Sequence, residues 1–278
     1  MMAGPKYSRL RIPRKAKDDA LTGLLSLHAP LGLLEDGRDL VACFRSGDAA
    51  MAARRDIESR GYRAELTTDI PEGDPFEAVR AASRPFEVGR RFWIEPGEPG
   101  AGTAPAGRIR LTIPASRAFG TGGHESTRLA LRALEETALP DAAVLDAGTG
   151  SGILALAACA LGARRAVGFD TDPEAVFVAR ENVRRHPFGD RVALCAGGIE
   201  AIGGRFALVA ANLLPEEALP ILAALAGRLA ARGRLILSGI PGEREAELAE
   251  KARGRRLRLA ARYRENGWSC LCLDRGSS

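Results

Sequence analysis

The sequence predicts an α/β protein in two parts. A small ferredoxin-like α+β domain spans residues 1–67, a linker 68–90, and a larger parallel-sheet domain 91–278. Three observations predict it. Residues 7–67 alternate between strand-like and helix-like apolar spacing in the order β-α-β-β-α-β, the split unit of a ferredoxin-like sheet. From residue 124 onward, short apolar strands alternate with helices, the pattern of a parallel sheet covered on both faces. Asn266-Gly267 sits between two closing strand-like runs, which marks an antiparallel hairpin.

Each element has a local reason. Tyr7-Ser-Arg-Leu-Arg-Ile12 has the alternation of a half-buried strand, and Asp18 caps a helical run carrying Leu21, Leu24, Leu25 and Leu27. Leu31 to Leu34 is a strand, turned by Asp36-Gly37 into Leu40 to Phe44. Asp48 opens a second helix through Ser59, Gly61 closes it, and Tyr62 to Leu66 completes the unit. Residues 68–90 read as a linker with one irregular helix, and Phe92 to Ile94 and Ile109 to Ile113 as strands. A Pro/Gly-rich loop separates those two strands. Helices are expected near 125–136, 153–161, 174–185, 216–231 and 243–252. Strands are expected at 144–146, 166–169, 192–195, 208–211, 234–238, 257–262 and 268–273.

Composition bounds the function. With 46% hydrophobic residues and a net charge of +5, the 278-residue chain has the makings of a real core and is not disordered. No window offers the ~18 uninterrupted apolar residues of a membrane span. The basic N-terminus lacks a signal peptide's apolar stretch, so a soluble cytoplasmic protein without membrane contact is expected. Five cysteines without a C-x-x-C pair, and only three histidines, predict reduced thiols and no metal site. Two acid-free basic runs, Lys6 to Lys17 and Lys251 to Arg264, suit either weak RNA contact or a solvated arginine-rich surface.

The chemistry concentrates at four places. Val144-Leu-Asp-Ala-Gly-Thr-Gly-Ser-Gly-Ile153 delivers Asp146 at a strand end, then Gly148, Gly150 and Gly152 ahead of a helix. Glycines there let a ligand lie against backbone N–H groups at the helix start. The spacing is G-x-G-x-G rather than the G-x-G-x-x-G of dinucleotide sites, and no G-K-[ST] follows. An acid directly before the glycines would repel a pyrophosphate but suits a cationic amino group such as that of S-adenosylmethionine. Asp170 ends the next strand, where an acid accepts ribose hydroxyls, and Asp172-Pro173 caps the following helix. Asn212 ends the fourth strand; it either orients an amine or the cofactor, or serves as a turn former. Adenine and glutamine-amide methyltransferases carry Asn/Asp-Pro-Pro-Tyr/Phe at this point, whereas here it is Asn-Leu-Leu-Pro, which disfavours those substrates. Ala118 to Arg128 brings three glycines and the hydroxyls of Thr121, Ser126 and Thr127; its His124 reads as a capping residue ahead of a general base.

Together, Phe119-Gly-Thr-Gly-Gly-His-Glu-Ser-Thr127, the Leu145 to Ala157 run, Gly168-Phe-Asp-Thr-Asp-Pro173 and Ala211-Asn-Leu-Leu214 resemble the bacterial ribosomal protein L11 methyltransferases, of PrmA type. The resemblance implies a ferredoxin-like substrate domain followed by a Rossmann-like class I methyltransferase domain, whose parallel sheet ends in an antiparallel hairpin. It implies S-adenosylmethionine as cofactor and L11 as protein partner, methylated on lysine and α-amino groups. Cofactor positions follow at Thr127, Gly148, Asp170 and Asn212, and the residues themselves add Phe119, Thr121, Asp146, Gly150 and Gly152. Asn212 is the candidate catalytic residue, aiming the substrate amine. The chain departs from the family pattern at Gly123-His-Glu-Ser-Thr127, at Asn-Leu-Leu-Pro215, and in a linker without tryptophan. Two other readings stand beside this one: a methyltransferase of another protein or small molecule, and a non-catalytic ribosome- or RNA-binding module.

Overall fold

The computed structural model describes residues 7–13, 21, 24, 25, 28, 32–36, 39–44, 46–70, 84–96, 104–114, 122–137 and 139–276. It divides into two compact units, one of residues 1–83 and 115–117, the other of 84–114 and 118–278.

The first unit is a four-stranded antiparallel sheet of β1 (Tyr7–Pro13), β2 (Gly32–Asp36), β3 (Asp39–Phe44) and β4 (Glu65–Ile70), in the order β2-β3-β1-β4. That is the ferredoxin-like order. Alternation along β1 buries Ser8, Leu10 and Ile12. Leu10 and Ile12 pack with Leu40, Phe44 and Ile57, the last on helix α1 (Gly47–Ser59). Between β1 and β2, Leu21, Leu24 and Leu25 are helical, and Leu21 and Leu25 are fully buried. The expected cap Asp18 and Leu27 lie outside the described residues, as does Gly37 of the expected turn.

Three boundaries differ from expectation. The cap of α1 is Ser46, whose Oγ accepts from Ala49 N at 3.2 Å, so Asp48 sits in the first turn as a charge favourable to the helix dipole. After the helix, Tyr62 N still donates to Ile57 O at 3.1 Å, which holds 62–64 in the helix exit and delays β4 to Glu65. β4 also continues to Ile70, so the expected linker begins inside a strand; residues 71–83 lie outside the described residues.

In the second unit, β5 (Phe86–Val88), β6 (Phe92–Glu95) and β7 (Ile109–Thr112) form a small sheet, β6 and β7 running parallel. β5 also falls inside the segment expected to be linker. After α2 (Glu125–Glu135), strands and helices alternate. They run β8 (Ala143–Ala147), α3 (Ile153–Ala160), β9 (Arg165–Asp170), α4 (Pro173–Arg184), β10 (Val192–Ala196) and β11 (Phe206–Asn212). Then follow α5 (Pro215–Arg228), β12 (Leu229–Pro241), α6 (Glu245–Arg253), β13 (Leu257–Glu265) and β14 (Trp268–Arg275). The sheet order is β10-β9-β8-β11-β12-β14-β13, with β14 antiparallel to both neighbours. β12 begins five residues before the expected Arg234, because Leu229 already pairs with Phe206 before a register shift.

Successive strand residues feed opposite faces. Val144, Leu208, Ile236, Cys270 and Cys272 join α2 and α3 in one core; Leu145, Val209, Leu235, Leu271 and Leu273 join α5 and α6 in the other. α3 has almost no polar face, and all its residues but Ala160 are buried. No helix among the described residues is long and apolar enough to cross a membrane.

A buried histidine ties the small sheet to the end of α4. His186 Nε2 accepts from Thr112 N at 3.1 Å while its Nδ1–H donates to Asn182 O at 2.8 Å, and Asn182 Nδ2 donates to Ser151 O at 2.9 Å. The accepting nitrogen must be unprotonated, and burial pushes the His186 pKa below its usual value. The unfolded chain therefore takes up a proton below about pH 6.5 that the folded chain refuses, so this link's stability is present above that pH and lost as pH falls. His186→Gln is expected to lose roughly 1–3 kcal/mol at pH 8. Urea titrations from pH 8 to pH 5 should show a shallower acid decline in the variant than in the wild type.

Candidate active site

The strands β8, β9, β11 and β12 are parallel, so their carboxyl ends share one edge of the sheet. β8 and β11 are neighbours in the sheet although β9 and β10 come between them in sequence, and chain connections leave that pair in opposite directions. This switch point is where open α/β sheets hold ligands.

The glycine loop is fixed from below. Gly148 N and Thr149 N both donate to Phe169 O, at 3.0 and 2.9 Å. Gly148, Gly150 and Gly152 all have positive φ, of 68°, 51° and 82°. A Cβ on Gly148 would stand 2.4 Å from Leu213 Cδ2. Gly152 is the N-cap of α3 and has no side chain to offer its first turn. Asp146 supplies what is missing: its Oδ2 accepts from Ala155 N at 3.0 Å and from Thr149 Oγ1 at 2.7 Å.

The other carboxylate oxygen is the informative one. Asp146 Oδ1 is buried and has no hydrogen-bond partner. Burial pushes the Asp146 pKa up to about 6, with the Asp170 charge adding and the bonds from Thr149 and Ala155 opposing. Asp170 closes the loop from the β9 side: its Oδ2 accepts from Gly150 N at 2.9 Å and its Oδ1 from Asp172 N at 3.0 Å. A carboxylate has about four acceptor positions, so two remain. Asp172 is the cap of α4, accepting from Glu174 N at 2.9 Å, with Pro173 at the first helical position.

Across the switch point, Asn212 Nδ2 donates to Thr127 Oγ1 at 3.2 Å, and Thr127 is fully buried on α2. Asn212 Oδ1 is the second buried oxygen without a partner. Leu213 N donates to Ser238 O at 3.1 Å, and Ser238 Oγ to Ser126 O at 2.7 Å. Leu214 N is taken by Glu217 Oε2 at 3.0 Å as α5 begins. His124 is the N-cap of α2: its Nδ1 accepts from Ser126 N at 3.2 Å, and its ring meets Trp268 edge-on with centroids 4.7 Å apart.

The structure therefore brings Asp146, Gly148, Gly150, Gly152 and Asp170 together on one side of the switch point and Asn212 with Thr127 on the other. Phe119 and Thr121 lie outside the described residues. Sequence reasoning missed Thr149, which engages half of Asp146, and Gly239. Gly239 has φ +80°, and a Cβ there would lie 2.5 Å from Leu213 O. Its only sequence signal is a Ser-Gly pair closing an apolar strand. A cavity of about 500 Å³ elsewhere in this unit is lined by Glu87, Arg128, Glu135, Glu136 and Glu265. Each of those carboxylates already has a partner: Arg108, Arg90 N, Tyr263 and Arg128 in turn.

An uncompensated buried acceptor is costly, and two of them lie on strands paired with each other, Asp146 opposite Ala210 and Asn212 two residues on. The arrangement calls for a ligand that donates hydrogen bonds and carries positive charge near Asp146. The ammonium group of S-adenosylmethionine fits that demand.

Comparison with known proteins agrees. The family model described as ribosomal protein L11 methyltransferase (PrmA) matches residues 35–276. A ribosomal protein L11 methyltransferase of Geobacter sulfurreducens is 46% identical over 187 residues, covering 67% of this chain and 61% of that protein. One of Geobacter metallireducens is 41% identical over 209 residues, covering 75% and 69%. The chain thus spans about three fifths of the length of the first of these relatives. Among solved structures, a ribosomal protein L11 methylase of Lactobacillus delbrueckii subsp. bulgaricus superposes with TM-score 0.64 at 27% identity, over 69% of this chain and 99% of that one.

Proposed function

Because the chain belongs to the ribosomal protein L11 methyltransferase family, we propose that it is an S-adenosylmethionine-dependent N-methyltransferase acting on lysine and α-amino groups of L11. The observation that carries the reading is the pair of partnerless buried oxygens, Asp146 Oδ1 and Asn212 Oδ1, flanking a glycine cradle at the switch point. When bound, the cofactor supplies a methyl group already activated on a sulfonium. What the chain adds is placement. Asp146 takes the ammonium end, Asp170 the ribose hydroxyls, and Gly148 to Gly152 allow close backbone approach. Asn212, held by Thr127, aims the neutral amine with its free amide oxygen. A lysine must reach the site deprotonated, and a desolvated crevice lowers its pKa toward that state. The ferredoxin-like unit docks the substrate protein.

The test is intact-mass spectrometry of the organism's own L11 after incubation with enzyme and S-adenosylmethionine, with Asp170→Ala as control. Mass steps of one methyl group, about 14 Da, lost in the control, support the reading, and peptide mapping locates the amines. Cofactor binding without a mass step would move the proposal to another substrate, a reading favoured by the linker without tryptophan.

Asp146 makes binding pH-dependent. Its carboxyl, with pKa about 6, is ionised at pH 7.5 and protonated at pH 5, and only the ionised form pairs with an ammonium. Affinity for S-adenosylmethionine is expected to fall about tenfold between those values, approaching tenfold per unit below pH 6. Calorimetry on Asp146→Asn should give weaker binding and a flat profile over this range.

Two finer points complete the proposal. The reading assigns weak RNA contact to the run Lys251 to Arg264: Arg262 and Arg264 pair with Glu245, whereas Arg253, Arg255, Arg256 and Arg258 are exposed and make no ion pair among the described residues. Binding of a short RNA that weakens steeply with salt, and less so after Arg255→Ala and Arg256→Ala, supports this; no binding at low salt removes it. A cytoplasmic location is supported by five free cysteines, four of them buried.

A further inference from the structure

The first turn of α2 is held from two directions. From the strand ends, Asn212 Nδ2 reaches Thr127 Oγ1 at 3.2 Å and Ser238 Oγ reaches Ser126 O at 2.7 Å. From the tip of the β13–β14 hairpin come three further contacts. Glu265 Oε1 accepts from Arg128 Nε at 3.0 Å and Nη2 at 2.5 Å. Asn266 Nδ2 donates to Glu125 Oε1 at 3.2 Å. Trp268 meets the His124 ring with centroids 4.7 Å apart. The same Arg128 also donates through Nη1 to Gly123 O at 2.5 Å, so one guanidinium spans the approach to the helix, its first turn and the hairpin.

The tip itself is a tight turn. Asn266 and Gly267 have φ of +46° and +88°, the signature of a tight hairpin turn, and Gly242 N donates to Gly267 O at 2.6 Å. Gly122, at the near end of the loop, sits against Ile94 and Ile153, so the segment entering α2 is braced there as well. The Arg128–Glu265 pair is partly exposed, and such pairs add little to folding stability. Their geometric effect is larger, because every residue from His124 to Arg128 has a partner on a different strand or turn.

We propose that Glu265, Asn266 and Trp268 are positioning residues for methyl transfer, setting through the first turn of α2 the place of Thr127 and hence of the Asn212 amide. This rests on the reading of Asn212 and Thr127 as the site of transfer. The hairpin then acts through the helix and touches neither cofactor nor substrate.

The experiment uses the full chain with three substitutions at half-buried Glu265 and exposed Asn266: Glu265→Ala, Asn266→Gly, which keeps the positive φ of the turn, and Glu265→Gln, whose amide oxygen still accepts from Arg128. Expected for the first two is a fall in kcat for L11 of about tenfold or more, from a small displacement of the amide. S-adenosylmethionine Kd stays within about threefold, Tm stays near wild type, and amide hydrogen exchange quickens at 125–128. Glu265→Gln recovers most of the kcat. Unchanged kcat with unchanged exchange overturns the proposal, and so does a kcat loss that tracks equal losses of Tm and cofactor affinity, since that is general loosening. If the wild type transfers no methyl group to L11, exchange decides alone. Faster exchange at 125–128 in a folded Glu265→Ala keeps the brace and overturns only the substrate reading; unchanged exchange overturns the brace.

Discussion

Asp170→Ala is expected to weaken S-adenosylmethionine binding by at least about a hundredfold while leaving a folded protein. The carboxylate does two jobs. It accepts from Gly150 N and Asp172 N, and so fixes the glycine loop against the end of β9, and its remaining acceptor positions face the ribose in the proposed complex. Hydrogen bonds to a charged group contribute roughly 1.5–3 kcal/mol each, and about 2.7 kcal/mol already corresponds to a hundredfold in Kd. Stability suffers less, because Asp170 lies near solvent and water can take over the freed N–H groups. Asp170→Asn should fall between, since its amide group offers one acceptor and turns a donor toward the other N–H. Calorimetric titration with thermal unfolding of the same samples checks both halves. Near-native affinity in Asp170→Ala would remove Asp170 from the cofactor site.

Gly239→Ala is expected to damage folding and activity together, with a stability loss of about 2–5 kcal/mol. Two costs add. A φ of +80° disfavours any side chain by roughly 1–2 kcal/mol, and forcing a methyl group into a packed site costs about 1–3 kcal/mol more. The new carbon would lie 2.5, 2.8 and 2.9 Å from O, C and N of Leu213, which are backbone atoms with no rotamer to escape into. Relief requires β12 and the Asn212-Leu213 segment to separate, and that strains the bond from Leu213 N to Ser238 O. Gly61→Ala is a suitable comparison: its φ is +85°, but nothing lies within 4 Å of the added carbon. Urea unfolding should show a distinctly smaller loss at Gly61, and kcat should fall only at Gly239.

The two positions show what local sequence carries and what it does not. The run from Val144 to Ile153 exposes its strand, turn and helix because apolar residues, positive-φ glycines and helix start follow one another directly. Asp170 and Asp172 separate by the same local logic, the second capping its own helix. The sequence offers Asp146 as a candidate site residue but not as a stand-in cap for α3, since that job appears only when Gly152 is seen to begin the helix. Asn212 and Thr127 are 85 residues apart, His186 and Thr112 74 apart, and Arg128 and Glu265 137 apart. Such pairs arise from sheet order, which no periodicity encodes. Gly239 belongs with them, because the need for glycine comes from the backbone of a neighbouring strand. Short-range errors have a different origin. Ser46 and Asp48 are both good caps, and only the placement of the first turn chooses between them.

The placement of β14 bears on how the chain is made. It follows β13 in the chain yet lies inside the sheet, between β12 and β13. During synthesis β12 therefore presents a bare edge until residues 268–275 have been made, and β13 has no partner to lie against. Pairings between distant segments form late, so a nascent chain can hold a finished glycine loop while its sheet is still open. The hairpin that seals the sheet is the one whose tip grips the first turn of α2. Completion of the sheet and bracing of that turn then become a single event.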